Sequence, residues 1–366
     1  MAKKRKIRVP LRKNRQNPRR QKLRPDQLDD DARLDSATAA ARLTGRGTLT
    51  RHRTIVTSGD GDLRAVDLAG CQPGRVLSPR GGTCLVQLEG GGLHECAVRQ
   101  VLKNMELEDR TAVAAGDRVL VRLASGSQGV IERVEQRRGV LSRCVRGQRH
   151  VLAANVDQVL VVGSAADPPL KPSLIDRYLI SAQAGGIVPI ICINKIDLAT
   201  PGALQPIFGV YGQLGYDVVP TSATTGRGIE RLKHLLQGKV TALAGQSGVG
   251  KTSLVNCLDP ALNLKTVEVS ADSRKGKHTT TSARLMPLAC GGWVVDTPGI
   301  RQLDLWDVIP AEVEGYFVEF HPFVRQCRFP DCSHRHEEGC GVKQAVARGM
   351  ISMMRYGSYC RIRGQD

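Results

Sequence analysis

The chain has 366 residues, 41% of them hydrophobic, and a formal charge of +18. That length exceeds one compact core, so two or three domains are expected. No apolar run reaches the length of a membrane span, and no apolar segment follows the basic start as a secretory signal needs, so the chain reads as cytosolic, without membrane contact. Eleven cysteines, thinly spread except for a cluster near the C-terminus, fit a reducing compartment with isolated thiols and one metal site.

Met1 to Arg24 holds twelve Lys and Arg and no acid, which leaves about +6 for everything else. Such an arm cannot bury enough apolar surface to fold alone, and residues 1–69 are assigned to a basic, largely disordered arm and linker. Its charge suits counterion-releasing contact with nucleic-acid phosphate. From Cys71 the texture changes to short alternating segments: Gly74–Ser78, Thr83–Leu88, Leu93–Val98, Asp117–Leu123 and Gln128–Val134. Short strands punctuated by glycine suit a small β-barrel, an OB-fold over residues 70–140. OB-folds often stack RNA bases on aromatic rings, but the first aromatic residue of this chain is Tyr178. Any RNA contact in the barrel therefore rests on arginines such as Arg75, Arg80, Arg99, Arg118, Arg137 or Arg138.

From Asn155 the pattern becomes strand–helix–strand. Val156–Gly163 and Ile187–Ile193 are apolar, β-branched runs suited to strands buried on both faces. Leu174–Ala184 between them has helical spacing. Asp217–Pro220, Val240–Ala244 and Trp293–Asp296 supply further strands, with helices near Ala203–Leu214 and Gly228–Gln237. This is a parallel α/β sheet, whose ligands bind beyond the carboxyl ends of the strands.

Four loops at such strand ends carry chemistry. Val240–Ala244 runs into Gly245, Gln246, Ser247, Gly248, Val249, Gly250, Lys251, Thr252 and Ser253, which is strand, G-x-x-x-x-G-K-[ST], helix: a P-loop. The glycines let backbone N–H groups close around phosphate oxygens, and the helix start adds positive partial charge. Lys251 supplies an ammonium to the β/γ-phosphates, and the Thr252 hydroxyl can ligate Mg²⁺. Asn194-Lys195-Ile196-Asp197 follows the Ile187–Ile193 strand. A carboxylate at Asp197 accepts both N1–H and N2–H of guanine, a pair that adenine does not offer. Asn194 is assigned to the N7/O6 edge, and the Lys195 stem to the face of the ring. Thr221-Ser222-Ala223 ends the next strand and offers a backbone N–H to guanine O6 from Ser222 or Ala223. Asp296-Thr-Pro-Gly299 ends a further strand; Asp296 suits second-shell contact with Mg²⁺, and the Gly299 N–H suits the γ-phosphate. Together they select GTP over ATP.

Their order in the chain is reversed. Ordinary GTPases run P-loop, D-x-x-G, N-K-x-D, whereas here N-K-x-D and S-A come first, a circular permutation. The loop that senses the γ-phosphate thereby leads directly, through Ile300–Ile309, into the last part of the chain. Ile300 stands where many GTPases carry a water-orienting Gln, so turnover alone should be slow and another group must place the water.

Near the C-terminus, Cys327, Cys332 and Cys340 lie within fourteen residues of one another together with His334 and His336. Three thiolates and one imidazole make a closed structural zinc site, and chemistry alone does not choose between the two histidines. Tyr316, Phe317, Phe320 and Phe323 just before the cluster read as core at helical spacing. Val342–Arg348 and Met350–Ile362 read as helices, from which Arg355, Arg361 and Arg363 are placed to face RNA.

The permuted order, with G-Q-S-G-V-G-K-T, D-T-P-G-I-R and the cysteine cluster, resembles the ribosome small-subunit-dependent GTPase A family over roughly residues 70–360. The resemblance implies an N-terminal OB-fold, a circularly permuted α/β P-loop GTPase domain at 150–305 and a C-terminal α-helical zinc domain at 306–366. It implies GTP hydrolysis with Mg²⁺, stimulated by the small (30S) ribosomal subunit during late maturation, and rRNA as partner of a monomeric protein. Gly276–Thr281 resembles the family's G-x-H-T-T-T motif, making His278 the candidate water-positioning residue and Thr280 or Thr281 the Mg²⁺ ligand. The family pattern C-x4-C-x-H-x5-C selects Cys327, Cys332, His334 and Cys340 for one structural Zn²⁺. Two other classes stay open on the residues alone: an RNA-binding scaffold with a structural nucleotide, and a guanine-nucleotide metallochaperone.

Overall fold

A computed structural model describes residues 4–10, 52–58, 70–80, 82–99, 113–124, 126–145, 148–200, 202–264, 283–296 and 310–364. The chain divides into two compact units, residues 1–136 with 148–150, and residues 137–147 with 151–366. Among the described residues no helix is long and apolar enough to cross a membrane.

In the first unit, strands β1 (Lys4–Pro10) and β2 (His52–Ser58) pair antiparallel, two strands in a region the sequence leaves without a fold. Strands β3 (Cys71–Arg80), β4 (Thr83–Leu88), β5 (Leu93–Val98), β6 (Arg118–Leu123) and β7 (Gln128–Val134) close into a barrel in the order β3-β4-β5-β7-β6. Only β5 and β7 pair parallel, and β3 closes the ring on β6, the five-stranded OB arrangement the alternation predicts. Cys84, Val86 and Leu88 alternate inward along β4 and meet Val76, Cys96, Val121 and Ile131 in the core. Each of the buried Val, Leu and Ile side chains contributes about 1.5–3 kcal/mol by leaving water. Of the arginines expected to serve RNA, Arg80, Arg118 and Arg138 are exposed, while Arg99 is bound to Glu132 at 2.7 Å.

A ribbon of β8 (Leu141–Val145) and β9 (Gln148–Ala153), which the sequence pattern does not announce, precedes the main sheet in the chain. That sheet has six strands: β10 (Gln158–Ser164), β11 (Val188–Asn194), β12 (Asp217–Pro220), β13 (Val240–Ala244), β14 (Arg284–Pro287) and β15 (Trp293–Asp296). Their order across the sheet is β12-β11-β10-β13-β15-β14, all parallel except β14 at the edge. Every residue of β10 is buried, as a central strand covered on both faces requires. Helices α1 (Pro172–Ala184), α2 (Gln205–Gln213), α3 (Ile229–Leu236) and α4 (Lys251–Leu258) make the crossovers. Pro172 opens α1 at a position where a missing N–H costs nothing, and Ile175, Leu179 and Ala182 recur on its buried face.

The C-terminal part belongs to the same unit as this sheet. It comprises a 3₁₀ segment Pro310–Tyr316 and three helices, α5 (His321–Val324), α6 (Gly341–Ala347) and α7 (Met353–Arg363). Phe317 and Phe320 are fully buried with Val342, Ile351 and Tyr359, so the aromatic cluster is core. Ile180 of α1 is buried in that same cluster. Helix α1 is therefore shared, with one side on the sheet and the other under the C-terminal part. The last 60 or so residues thus share a compact unit with the sheet and pack on α1.

Candidate nucleotide site and metal centre

The parallel order places the carboxyl ends of β11, β12 and β13 on one edge of the sheet, with β10 between β11 and β13. Asn194, the last residue of β11, ties their loops together. Its Nδ2 donates to the Val249 carbonyl of the P-loop at 2.9 Å. Its Oδ1 accepts from the Thr221 hydroxyl at 3.3 Å and from the Ala223 N–H at 3.2 Å. The side chain is 1% exposed. The sequence assigns Asn194 to the edge of the base; in the structure its amide braces three loops, because a buried amide must find partners. The Cys257 thiol of α4 adds a further link, donating to the Ala223 carbonyl at 3.2 Å.

The P-loop needs its glycines for two separate reasons. Gly245 has φ +138°, and a Cβ there would lie 2.2 Å from the Val162 carbonyl oxygen. Gly250 has φ +92°, and its Cβ would meet Asn194 Nδ2 at 2.4 Å. Any side chain at Gly250 would thus push apart the two loops that Asn194 joins. Lys251, first residue of α4, points back into its own loop, with Nζ on the carbonyls of Gly245 and Gln246 at 2.7 and 2.8 Å. Thr252 and Ser253 follow on the first turn of α4. Lys195 sits in the left-handed region, φ 61° and ψ 34°, and its Nζ donates to the Asp167 carbonyl at 2.5 Å. Asp197 is exposed at the rim. Ser222 is buried, its hydroxyl accepting from Thr225 N–H at 3.1 Å, which shapes the Thr221–Ala223 loop. Asp296 ends β15, next to β13. Thr280, Thr281, His278 and Gly299 lie outside the described residues.

The cysteine cluster closes into a donor set. One ligand atom each from Cys327, Cys332, His334 and Cys340 lies within 4.8 Å of all the others. His334 Nδ1 is 3.5 Å from Cys327 Sγ and 3.4 Å from Cys340 Sγ, and those two sulfurs are 3.9 Å apart. Tetrahedral zinc with Zn–S and Zn–N bonds of about 2.3 and 2.05 Å requires separations of roughly 3.8 Å between sulfurs and 3.5 Å between sulfur and nitrogen. The donors fit zinc. Burial pushes the Cys332 thiol up to about 12, so a cation is needed to hold it as thiolate. His336 is 83% exposed on its side chain and lies outside the set that His334 joins.

Support for the cluster comes from residues the sequence did not mark. His334 Nε2 meets Glu314 Oε2 at 2.9 Å, the carboxylate–histidine arrangement that fixes which ring nitrogen faces a metal. Glu337 accepts from the backbone N–H of Ser333, Arg335 and His336 and from the Ser333 hydroxyl, folding the loop between two ligands. The Tyr356 and Tyr359 hydroxyls of α7 donate to the carbonyls of His334 and Ser333 at 2.7 and 2.9 Å. Arg355, expected to face RNA, is instead 2% exposed. Its only compensation at that depth is acidic, and it finds Asp176 of α1 and Glu319. Nothing in the spacing of Arg355, Arg361 and Arg363 distinguishes the buried arginine from the other two.

The pattern of the RsgA GTPase family matches residues 134–306 of this chain. A Shewanella oneidensis protein named small ribosomal subunit biogenesis GTPase RsgA is 40% identical, over 82% of this chain and 85% of its own. The chain belongs to the RsgA family. A Gemmatimonas aurantiaca protein of the same name is 40% identical over 80% of this chain and 96% of its own. Among solved structures, YjeQ from Thermotoga maritima superposes with a TM-score of 0.64 at 35% identity, covering 80% of this chain and 97% of that one. YloQ, described as a circularly permuted GTPase, gives a TM-score of 0.63 at 28% identity, covering 82% and 96%. GTP hydrolysis is the activity of the RsgA family, and the reversed order of loops around Asn194 is its permutation.

Proposed function

We propose that this chain is a GTPase of small-subunit ribosome biogenesis, binding rRNA of the 30S particle in its GTP state and leaving after hydrolysis. The observation that carries the reading is Asn194, which binds the P-loop and the Thr221–Ala223 loop to the end of its own strand. Loops held together in that way serve one nucleotide: Asp197 and the Ser222–Ala223 backbone read guanine, and Gly245–Ser253 cradles the phosphates. The helix start at α4 and the Lys251 ammonium, once it exchanges its two loop carbonyls for phosphate oxygens, neutralise the β/γ charge. Thr252 and either Thr280 or Thr281 would hold Mg²⁺, with Asp296 behind it, and the ion would supply positive charge against the charge developing on the phosphates. His278 positions the water that attacks the γ-phosphorus, GDP leaving as inorganic phosphate forms. Cys327, Cys332, His334 and Cys340 hold a zinc ion that staples the C-terminal part.

A basic arm and exposed arginines on the barrel supply the charge for rRNA. The name of the relatives, small ribosomal subunit biogenesis GTPase, supports the small subunit as the particle concerned. The test is GTP turnover titrated with 30S, 50S and 70S particles. Selective stimulation by 30S is expected, and it should vanish in His278→Ala while GTP binding persists. Equal turnover with all three particles, or with none, removes the ribosomal reading.

A further inference from the structure

We propose that Arg355, a residue of the metal-bearing part of the chain, is a positioning residue for guanine recognition, acting through Asp176 and Tyr211 on the loop Asn194–Asp197. The proposal rests on the reading of that loop as the base site.

Three side chains from three helices meet at one buried carboxylate. Asp176 of α1 is fully buried and accepts, on the same Oδ1, from Arg355 Nη1 of α7 and from the Tyr211 hydroxyl of α2, the latter at 2.7 Å. Arg355 also grips Glu319, Nε on Oε1 at 2.6 Å and Nη2 on Oε2 at 3.3 Å, and lies over the Phe317 ring at 4.3 Å. Each of its three nitrogens is thus engaged. Burial pushes the Asp176 carboxyl above its ordinary range, and the Arg355 charge opposes that shift, so the carboxylate at this depth depends on a cation supplied from α7.

The same helices flank the base loop. The segment leading into α1 carries the Asp167 carbonyl that accepts from Lys195 Nζ. Lys195 holds a left-handed conformation that few residues other than glycine adopt. Helix α2 is the next helix after Asp197, and its fully buried Tyr211 joins it to Asp176. Asp176 therefore ties α1, whose leading segment accepts from Lys195, to α2, into which the chain runs after Asp197, and Arg355 completes Asp176. A docking contact alone would need no such junction, since Ile180 already seats α1 in the C-terminal core.

The experiment uses the full-length, zinc-loaded protein and compares its affinity for GDP with that for inosine diphosphate, which lacks the amino group Asp197 reads. Asp197→Asn should collapse the GDP preference to near unity; if the preference survives, the base-site reading fails and the proposal with it. Given that collapse, Arg355→Met and Tyr211→Phe should each lower the GDP preference by about threefold to tenfold, with Arg355→Lys restoring part of it. Tyr211→Phe removes a single oxygen, so it decides the matter even where Arg355→Met does not fold. Equal weakening of both nucleotides, or no change in either, in Tyr211→Phe and Arg355→Met would show that the cluster only docks α7, and would overturn the proposal.

Discussion

The nucleotide site and the metal centre are opposite solutions to one assembly problem. The metal ligands fall within Cys327–Cys340, so a short stretch of chain brings the donors together, and apart from Glu337 what steadies them lies outside it: Glu314, Ile180 of α1 and the Arg355 junction. The nucleotide loops are scattered from Asn194 to Asp296, yet one sheet edge gathers them and one side chain, Asn194, fastens three of them. A local motif leaves its supports to the fold, whereas a dispersed site carries its own fastener. Permutation is tolerable for the second kind because cutting the chain elsewhere leaves the edge intact.

Metal removal is the harshest way to test that contrast. Structural zinc contributes on the order of 10–16 kcal/mol of apparent binding free energy in small domains, so chelation or Cys332→Ser should melt residues 310–364. A separable module would leave the nucleotide site untouched. Because α1 lends Ile180 and Asp176 to the C-terminal core, GDP affinity should fall along with the metal. Labelled-nucleotide titration before and after chelation measures it, and an unchanged affinity would restore the picture of two independent regions.

Removing the fastener comes next. Asn194→Ala strands the Val249 carbonyl and the partly buried Ala223 N–H, while the Thr221 hydroxyl keeps Cys192 and the Ile193 carbonyl, at a cost of about 1–3 kcal/mol for each group left unpaired. The expected result is a drop of several kcal/mol in the unfolding free energy of the nucleotide-free protein, read by denaturant titration. Full stability without nucleotide would mean that the loops are gathered by the strands alone.

How much of this was readable beforehand follows the same contrast. Strict alternation and glycine turns gave the barrel strands nearly to the residue, as at Thr83–Leu88 and Leu93–Val98. Apolar β-branched runs gave β10 and β11, and the strand–glycine–helix junction gave the P-loop. The edge strand Arg284–Pro287 escaped because Leu285 and Met286 favour helices, and it lacks the paired valines that mark the equally short Asp217–Pro220 and Trp293–Asp296. The ribbon Leu141–Val145 and Gln148–Ala153 escaped because its charges interrupt any alternation. Arg355 was misread because its partner Asp176 lies 179 residues away, and helical spacing at the C-terminus holds no trace of α1. Local pattern reports local geometry; a salt bridge between distant helices is written only in the packed chain.

The smallest expected effect is also the most selective. Glu314 touches His334 and no other metal ligand among the described contacts, and its side chain is 27% exposed, so replacing it leaves the core intact. An ionised carboxylate on Nε2 holds the imidazole with Nδ1 toward the thiols and raises its basicity as a ligand. Glu314→Gln keeps an acceptor oxygen but loses the charge; Glu314→Ala loses both. Outer contacts of this kind are worth about tenfold to a hundredfold in metal affinity. Competition with a chromogenic chelator should therefore rank wild type above Glu314→Gln and Glu314→Ala last, with nucleotide affinity unchanged in both at saturating zinc. If all three bind zinc equally, the Cys327–Cys340 loop orients its histidine unaided, and the metal centre would be as self-sufficient as the nucleotide site.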